Sequence, residues 1–164
     1  MEEALLNRER PRALAGADGV TQLIIFKLAE REYALPVENV SEVLRMVSIA
    51  PVPEAPAWMP GVINLRGRVV PVVDLRSRLA LPVLQYGINT PIIVSESEGS
   101  MLGLVADAVV ELLTVPLASV EAPPERMSGP TSSVSGVARA GERLILLFDL
   151  ERLYAGAAAV VPAP

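Results

Sequence analysis

Gly61-Val62-Ile63-Asn64-Leu65-Arg66-Gly67-Arg68-Val69-Val70-Pro71-Val72-Val73-Asp74-Leu75 is the stretch whose reading decides the fold. Two apolar, β-branched runs flank Arg66-Gly67, and Gly67 supplies the positive φ of a tight turn, so the segment reads as a two-stranded hairpin. A second copy follows later: Gly136-Val137-Ala138-Arg139-Ala140-Gly141 leads to Leu144-Ile145-Leu146-Leu147-Phe148-Asp149-Leu150. Gly61 to Asp74 and Gly136 to Asp149 have the same spacing of thirteen residues. Each copy closes on a short charged turn, Asp74 to Leu79 and Asp149 to Leu153. There the Asp carboxylate can accept backbone N–H groups and cap one or two helical turns.

The repeat extends upstream. Gln22 to Leu28 and Tyr33 to Val37 flank the charged turn Ala29 to Glu32 and read as a hairpin; Ile92-Ile93-Val94 and Met101 to Val105 flank Ser97-Glu98-Gly99-Ser100 in the same way. Val40-Ser41-Glu42-Val43-Leu44 and Val109-Val110-Glu111-Leu112-Leu113 then place Glu42 and Glu111 in equivalent positions. Val40, Val43, Leu44 and Val47 fit a helical stripe, but Val40, Glu42 and Leu44 also alternate, and a short turn followed by a strand is the reading taken here. An ordered repeat of this kind constrains the fold before any function is considered. Short strands with Gly-rich turns in both halves point to two small barrels, the first mainly Tyr33 to Leu79 and the second mainly Ile92 to Leu147. A barrel of this size has a thin core alone, so the two are expected to share a hydrophobic core between them. The Pro-rich connections Ala50 to Pro60 and Ala118 to Pro130 are expected to leave the sheets and run across the surface.

Composition narrows the chemistry. The 164 residues contain no Cys and no His, which removes disulfides, thiolate nucleophiles, imidazole bases and the usual zinc ligands. Any catalysis would rest on carboxylates, hydroxyls, arginine and the single lysine, Lys27. A net charge of −5 argues against nucleic acid or anionic lipid as a general partner and leaves a protein ligand. Met1 to Arg10 carries no apolar core behind a basic head, so it does not read as a secretory signal, and no apolar run is long enough for a membrane span. The reading is cytoplasmic. Residues 1–19 are expected to be a disordered leader and 156–164 a flexible tail around one ordered domain, 20–155.

The Gly61 to Leu75 stretch resembles the CheW family of chemotaxis coupling proteins. The likeness continues through Tyr33-Ala34-Leu35-Pro36-Val37, Val40 to Val43, Pro53-Glu54-Ala55-Pro56, Gly136-Val137-Ala138 and Leu147-Phe148-Asp149-Leu150, and spans Thr21 to Tyr154. The resemblance implies an all-β fold of two intertwined five-stranded SH3-like barrels with strands swapped between them and short helical turns. It implies no catalysis, no cofactor and no metal. Its partners would be the cytoplasmic tip of a methyl-accepting chemoreceptor and the regulatory domain of a CheA-type histidine kinase, with recruitment to membrane-bound receptor arrays but no direct membrane insertion. An alternative within the family is a module of another motility pathway, gliding or pilus, or one that binds a single partner. Carried over residue by residue, the resemblance assigns receptor binding to Val40, Glu42 and Arg66, with Glu42 beside the arginine; it assigns no kinase-binding residue.

Other readings of the same residues stand beside these. Arg66 also reads as a solvated turn arginine, Glu42 as a solvated strand carboxylate and Val40 as core. The group Arg66, Arg68, Arg76 and Arg78 lacks the aromatic platform of a single-strand binder and reads as a solvated hairpin end. Trp58 is either an exposed anchor or a core filler. A carboxylate-dependent hydrolase would draw on two of Asp74, Asp107, Glu111 and Asp149, and would need them converging in a pocket with one at a raised pKa.

Overall fold

The computed structural model describes residues 19–124 and 133–160. Eleven strands follow in chain order: β1 (Val20–Leu28), β2 (Arg31–Pro36), β3 (Val40–Arg45), β4 (Gly61–Leu65), β5 (Arg68–Asp74), β6 (Pro91–Ser97), β7 (Ser100–Val105), β8 (Ala108–Pro116), β9 (Val120–Glu121), β10 (Val134–Ala140) and β11 (Arg143–Phe148). They make one sheet ordered β8-β1-β2-β11-β10-β9 and another ordered β3-β6-β7-β5-β4. Hairpin pairs are antiparallel, whereas β2 lies parallel to β11 and β5 parallel to β7.

The chain divides into two compact units, one within Met1–Glu38 and Val110–Asp149, the other within Asn39–Val109 and Leu150–Pro164. The same strand order runs through both: β8, β1, β2, β11, β10 in the first correspond to β3, β6, β7, β5, β4 in the second. The duplicated sequence is therefore a duplicated sheet, but each unit takes its first hairpin from one half of the chain and its last from the other. Tyr33–Pro36 accordingly belongs with β10 and β11 rather than with β4 and β5, and Pro91–Val105 belongs with β3 to β5. The barrel spans expected from sequence halves, Tyr33 to Leu79 and Ile92 to Leu147, are corrected in this respect. β2 and β7 end in equivalent runs of four consecutive buried residues, so local pattern does not choose between the two exchanges.

Turn chemistry explains the hairpins. Arg66 and Gly67 have φ of 50° and 84°, and Glu98 and Gly99 have 50° and 82°, the paired left-handed values of a two-residue turn whose twist matches the flanking strands. The β1–β2 turn is tighter than Ala29 to Glu32: Leu28 pairs with Arg31, leaving only Ala29 and Glu30 in the loop. Val37–Asn39 is a single 3-10 turn before β3, as the turn-then-strand reading requires.

Each unit has its own apolar cluster. In the first, Leu23, Ile25, Ala34, Val115, Leu117, Val120, Ala138, Ile145 and Leu147 are buried together. In the second the cluster is Ile63, Leu65, Val70, Val72, Ile92, Val94 and Val105. Each large aliphatic side chain so buried contributes about 1.5–3 kcal/mol. The rings of Phe26, Tyr33 and Phe148 lie 5.7 to 6.3 Å apart in the first unit, and burial raises the Tyr33 hydroxyl pKa.

Two expectations need correction. The stretch Ala118 to Pro130 does contribute to a sheet, because Val120 and Glu121 pair with Ala138 and Val137; residues 125–132 lie outside the described residues. The expected tail from residue 156 is helical to Val160: the helix Leu150–Val160 buries Leu153 and Ala157, and its Ala-rich sequence favours helix once those side chains are anchored. Within the second unit, the Tyr154 hydroxyl lies 2.6 Å from the Ser95 hydroxyl. Of the expected leader, only Gly19 is among the described residues.

Candidate functional site

The β4–β5 turn projects Arg66 from a rigid base. The Gly67 N–H donates to the Asn64 side-chain oxygen at 2.9 Å, which ties the turn to the strand that enters it. Arg66 adopts a left-handed φ at a position where Asn or Gly is favoured, a backbone cost of order 1 kcal/mol. Its guanidinium donates end-on to Glu42, Nη1 to Oε2 at 2.8 Å and Nη2 to Oε1 at 2.9 Å. The Arg66 side chain is 72% exposed and Glu42 23%, so the carboxylate is the fixed partner and the guanidinium the presented one. The Arg66 hydrogen bonds hold the Glu42 carboxyl below its ordinary pKa and raise that of Arg66. An exposed pair of this kind adds only about 0 to 1 kcal/mol to stability. Its effect is orientation. The remaining donors of a planar fork point away from a strand-mounted carboxylate.

Val40 begins the same strand and is half-buried, outside the apolar cluster of its unit. Opposite it, β6 shows a register shift: Val40 pairs with Ser95 but Glu42 with Val94, so Ser41 is an inserted bulge residue. Bulges re-aim side chains, and Glu42 directly follows this one.

The first unit carries a related arrangement that spacing did not reveal. Arg143 occupies the repeat position of Arg68, and Glu111 that of Glu42. Arg143 donates through Nε and Nη2 to Glu32, both at 2.9 Å, and through Nη1 to Glu111 at 2.8 Å. Glu32 and Arg143 lie 111 residues apart, and only the parallel β2–β11 pairing joins them. In the second unit Arg68 instead donates to the Gly99 carbonyl at 3.0 Å, because Met101 stands on the β7 position that Glu32 holds on β2. The Arg143 hydrogen bonds hold the Glu32 carboxyl below its ordinary 4.5, with burial opposing. A lowered folded-state pKa gives stability that is present above pH 4.5 and is lost as the pH falls through the folded value. Glu32→Gln is therefore expected to melt below wild type at neutral pH, with the gap closing as the pH drops below 4.5. Thermal unfolding across that range measures it, and a gap that stays constant would contradict the linkage.

The four arginines once grouped as a patch go separate ways. Arg66 and Arg68 are placed as above, Arg76 makes a two-point pair with Asp107 at 2.7 and 2.8 Å, and Arg78 lies over the Trp58 ring. Trp58 is half-buried, neither a free anchor nor a core filler. The carboxylates considered for hydrolysis are also engaged. Asp74 Oδ1 accepts the Ser77 N–H at 3.0 Å as the expected N-cap, and Oδ2 accepts the Tyr86 hydroxyl, whose pKa burial and that bond both raise. Glu111 pairs with Arg143, and Asp149 directly precedes its helix. Asp74 and Asp107 do line one pocket of about 120 Å³ with Arg76, Leu84, Tyr86 and Thr90, but both are tied to protein donors.

A family model described as the CheW-like domain matches residues 22–158. The chain belongs to the CheW-like family. Its relatives include the chemotaxis protein CheW of Rhizobium meliloti, 33% identical over 138 residues, which are 84% of this chain and 89% of that one. Protein FrzA of Myxococcus xanthus is 33% identical over 145 residues, 87% of this chain and 91% of FrzA. Among solved structures, the scaffolding protein TtCheW of Thermoanaerobacter tengcongensis superposes with a TM-score of 0.74 at 35% identity, covering 79% of this chain and 88% of that one. The CheW-like fold thus carries the all-β architecture that the repeat implied, and the hairpin bearing Arg66 lies inside the matched region.

Proposed function

We propose that this CheW-like chain is a non-enzymatic coupling adaptor of chemotaxis signalling, which binds the cytoplasmic tip of a methyl-accepting chemoreceptor and the regulatory domain of a CheA-type histidine kinase. The observation that carries the receptor half is the Glu42–Arg66 pair. A strand-mounted carboxylate orients an exposed guanidinium on a two-residue turn. An arginine so presented recognises receptor carboxylates by charge-assisted hydrogen bonds, and Val40 supplies apolar contact on the same strand. The non-enzymatic reading is supported by the roles of Asp74, Asp107 and Glu111, each held by a donor of the fold. No helix among the described residues is long and apolar enough to cross a membrane, so the proposed route to the membrane is through the receptor.

Calorimetric titration of the full chain with a receptor-tip hairpin fragment and, separately, with a kinase regulatory domain tests the proposal. Each is expected to bind with a Kd in the micromolar range, about −8 kcal/mol. Modest single-site affinity suits an arrayed assembly, in which linked sites add avidity. Absence of binding to cognate fragments of both partners would remove the adaptor reading.

A further inference from the structure

Of the four arginines Arg66, Arg68, Arg76 and Arg78, Arg78 alone has no acceptor for its side chain among the described residues. Arg66, Arg68 and Arg76 are bonded to Glu42, the Gly99 carbonyl and Asp107. Among the described residues Arg78 has neither hydrogen bond nor ion pair, and its Nε is buried without a partner. The same side chain is held in place. It ends the helix Leu75–Arg78, whose start Asp74 caps, and its guanidinium carbon lies 5.4 Å from the Trp58 ring centroid. Trp58 is itself fixed: its carbonyl accepts the Asp74 N–H at 2.8 Å, and Gly156 lies so close that an added Cβ would stand 3.4 Å from the ring.

We propose that Arg78, held over the Trp58 ring, is a second carboxylate-binding site, which takes an acidic side chain of a protein partner. A guanidinium held over an indole face by cation–π attraction keeps its outward N–H donors available to a carboxylate. The η nitrogens of Arg78 are not buried, so they remain open to an end-on carboxylate, the geometry by which Arg66 holds Glu42. With no ion-pair partner among the described residues, the guanidinium can form a charge-assisted pair with an arriving carboxylate. Preorganisation by the ring also reduces the side-chain entropy lost on binding. A single fork beside one aromatic ring, on a chain of net charge −5, fits one carboxylate rather than a polyphosphate backbone. This site is independent of Arg66 and of the receptor reading.

Trp58 is the only tryptophan, so its fluorescence reports directly on the site. Wild-type protein titrated with a capped hexaglutamate peptide is expected to show a saturable change in Trp58 emission that capped hexaglutamine does not produce. Arg78→Gln should weaken that binding about tenfold, and Arg78→Lys, which keeps the charge but loses the fork, by a smaller factor. Arg31→Gln, at an exposed arginine of the first unit, should leave it unchanged, while circular dichroism checks that each variant is folded. No saturable response in wild type would overturn the proposal, as would an Arg78→Gln affinity equal to wild type. A response abolished by Arg66→Gln would assign the carboxylate to the other site and overturn it as well. If Arg78→Gln does not fold, wild-type affinity in Arg78→Lys decides against the proposal.

Discussion

Arg66→Glu is expected to weaken association with the receptor tip about tenfold or more while leaving the fold and kinase binding intact. The substitution replaces the presented guanidinium with a carboxylate that faces both Glu42 and the acidic groups proposed on the receptor. The loss of the exposed pair itself costs little stability, about 0 to 1 kcal/mol. The left-handed backbone at position 66 penalises Glu much as it penalises Arg, and Glu98 already occupies the same kind of position. Titration of both partners against wild type and Arg66→Glu, with thermal unfolding alongside, separates the outcomes. Unchanged receptor affinity in a folded variant would refute the site assignment. Equal loss against both partners would indicate a general defect.

Gly61→Ala is expected to give the largest loss of stability. Gly61 opens β4, where Ala50 and Val62 exchange backbone hydrogen bonds of 2.8 and 2.9 Å. A Cβ on residue 61 would lie 2.0 Å from the Ala50 carbonyl oxygen and 2.7 Å from its carbon. Those atoms are backbone, so relief requires breaking the bridge or moving the strand. The expected cost is about 3–4 kcal/mol, a fall in melting temperature on the order of 10 °C for a chain of this size. Differential scanning calorimetry checks it. A melting temperature within about a degree of wild type would mean that the Ala50–Val62 approach is not maintained in solution.

Much of this was legible in the sequence where local chemistry decides the outcome. Gly67 and Gly99 mark turns whose φ values other residues rarely adopt, and the β-branched runs beside them have little alternative to strand. Asp74 preceded a short helix because a carboxylate there satisfies a free N–H. The exchange of strands between the units was expected from the family resemblance alone and was not legible in local pattern. Tyr33–Pro36 presents the same buried apolar run to β11 as it would to β5, and the choice is made by tertiary packing. The helical course of Gly156–Val160 was hidden for a similar reason, since Ala and Gly carry no amphipathic signal and the anchors are Leu153, Ala157 and the Tyr154–Ser95 contact.

The Glu42–Arg66 pair was placed by family resemblance, because 24 residues and two strand connections separate its members. The Glu32–Arg143–Glu111 group had only half a signal. Repeat alignment matched Glu111 with Glu42, but nothing local pointed to Arg143 or Glu32. Arg78 read as part of a solvated hairpin end, and the position of Trp58 distinguishes it from its neighbours.

Coupling requires that one molecule hold both partners at once. Sedimentation velocity of the full chain mixed with a receptor-tip hairpin fragment and a kinase regulatory domain tests this most directly. The account predicts a boundary that contains all three components and sediments faster than either pairwise complex; two pairwise complexes that exclude each other would contradict it.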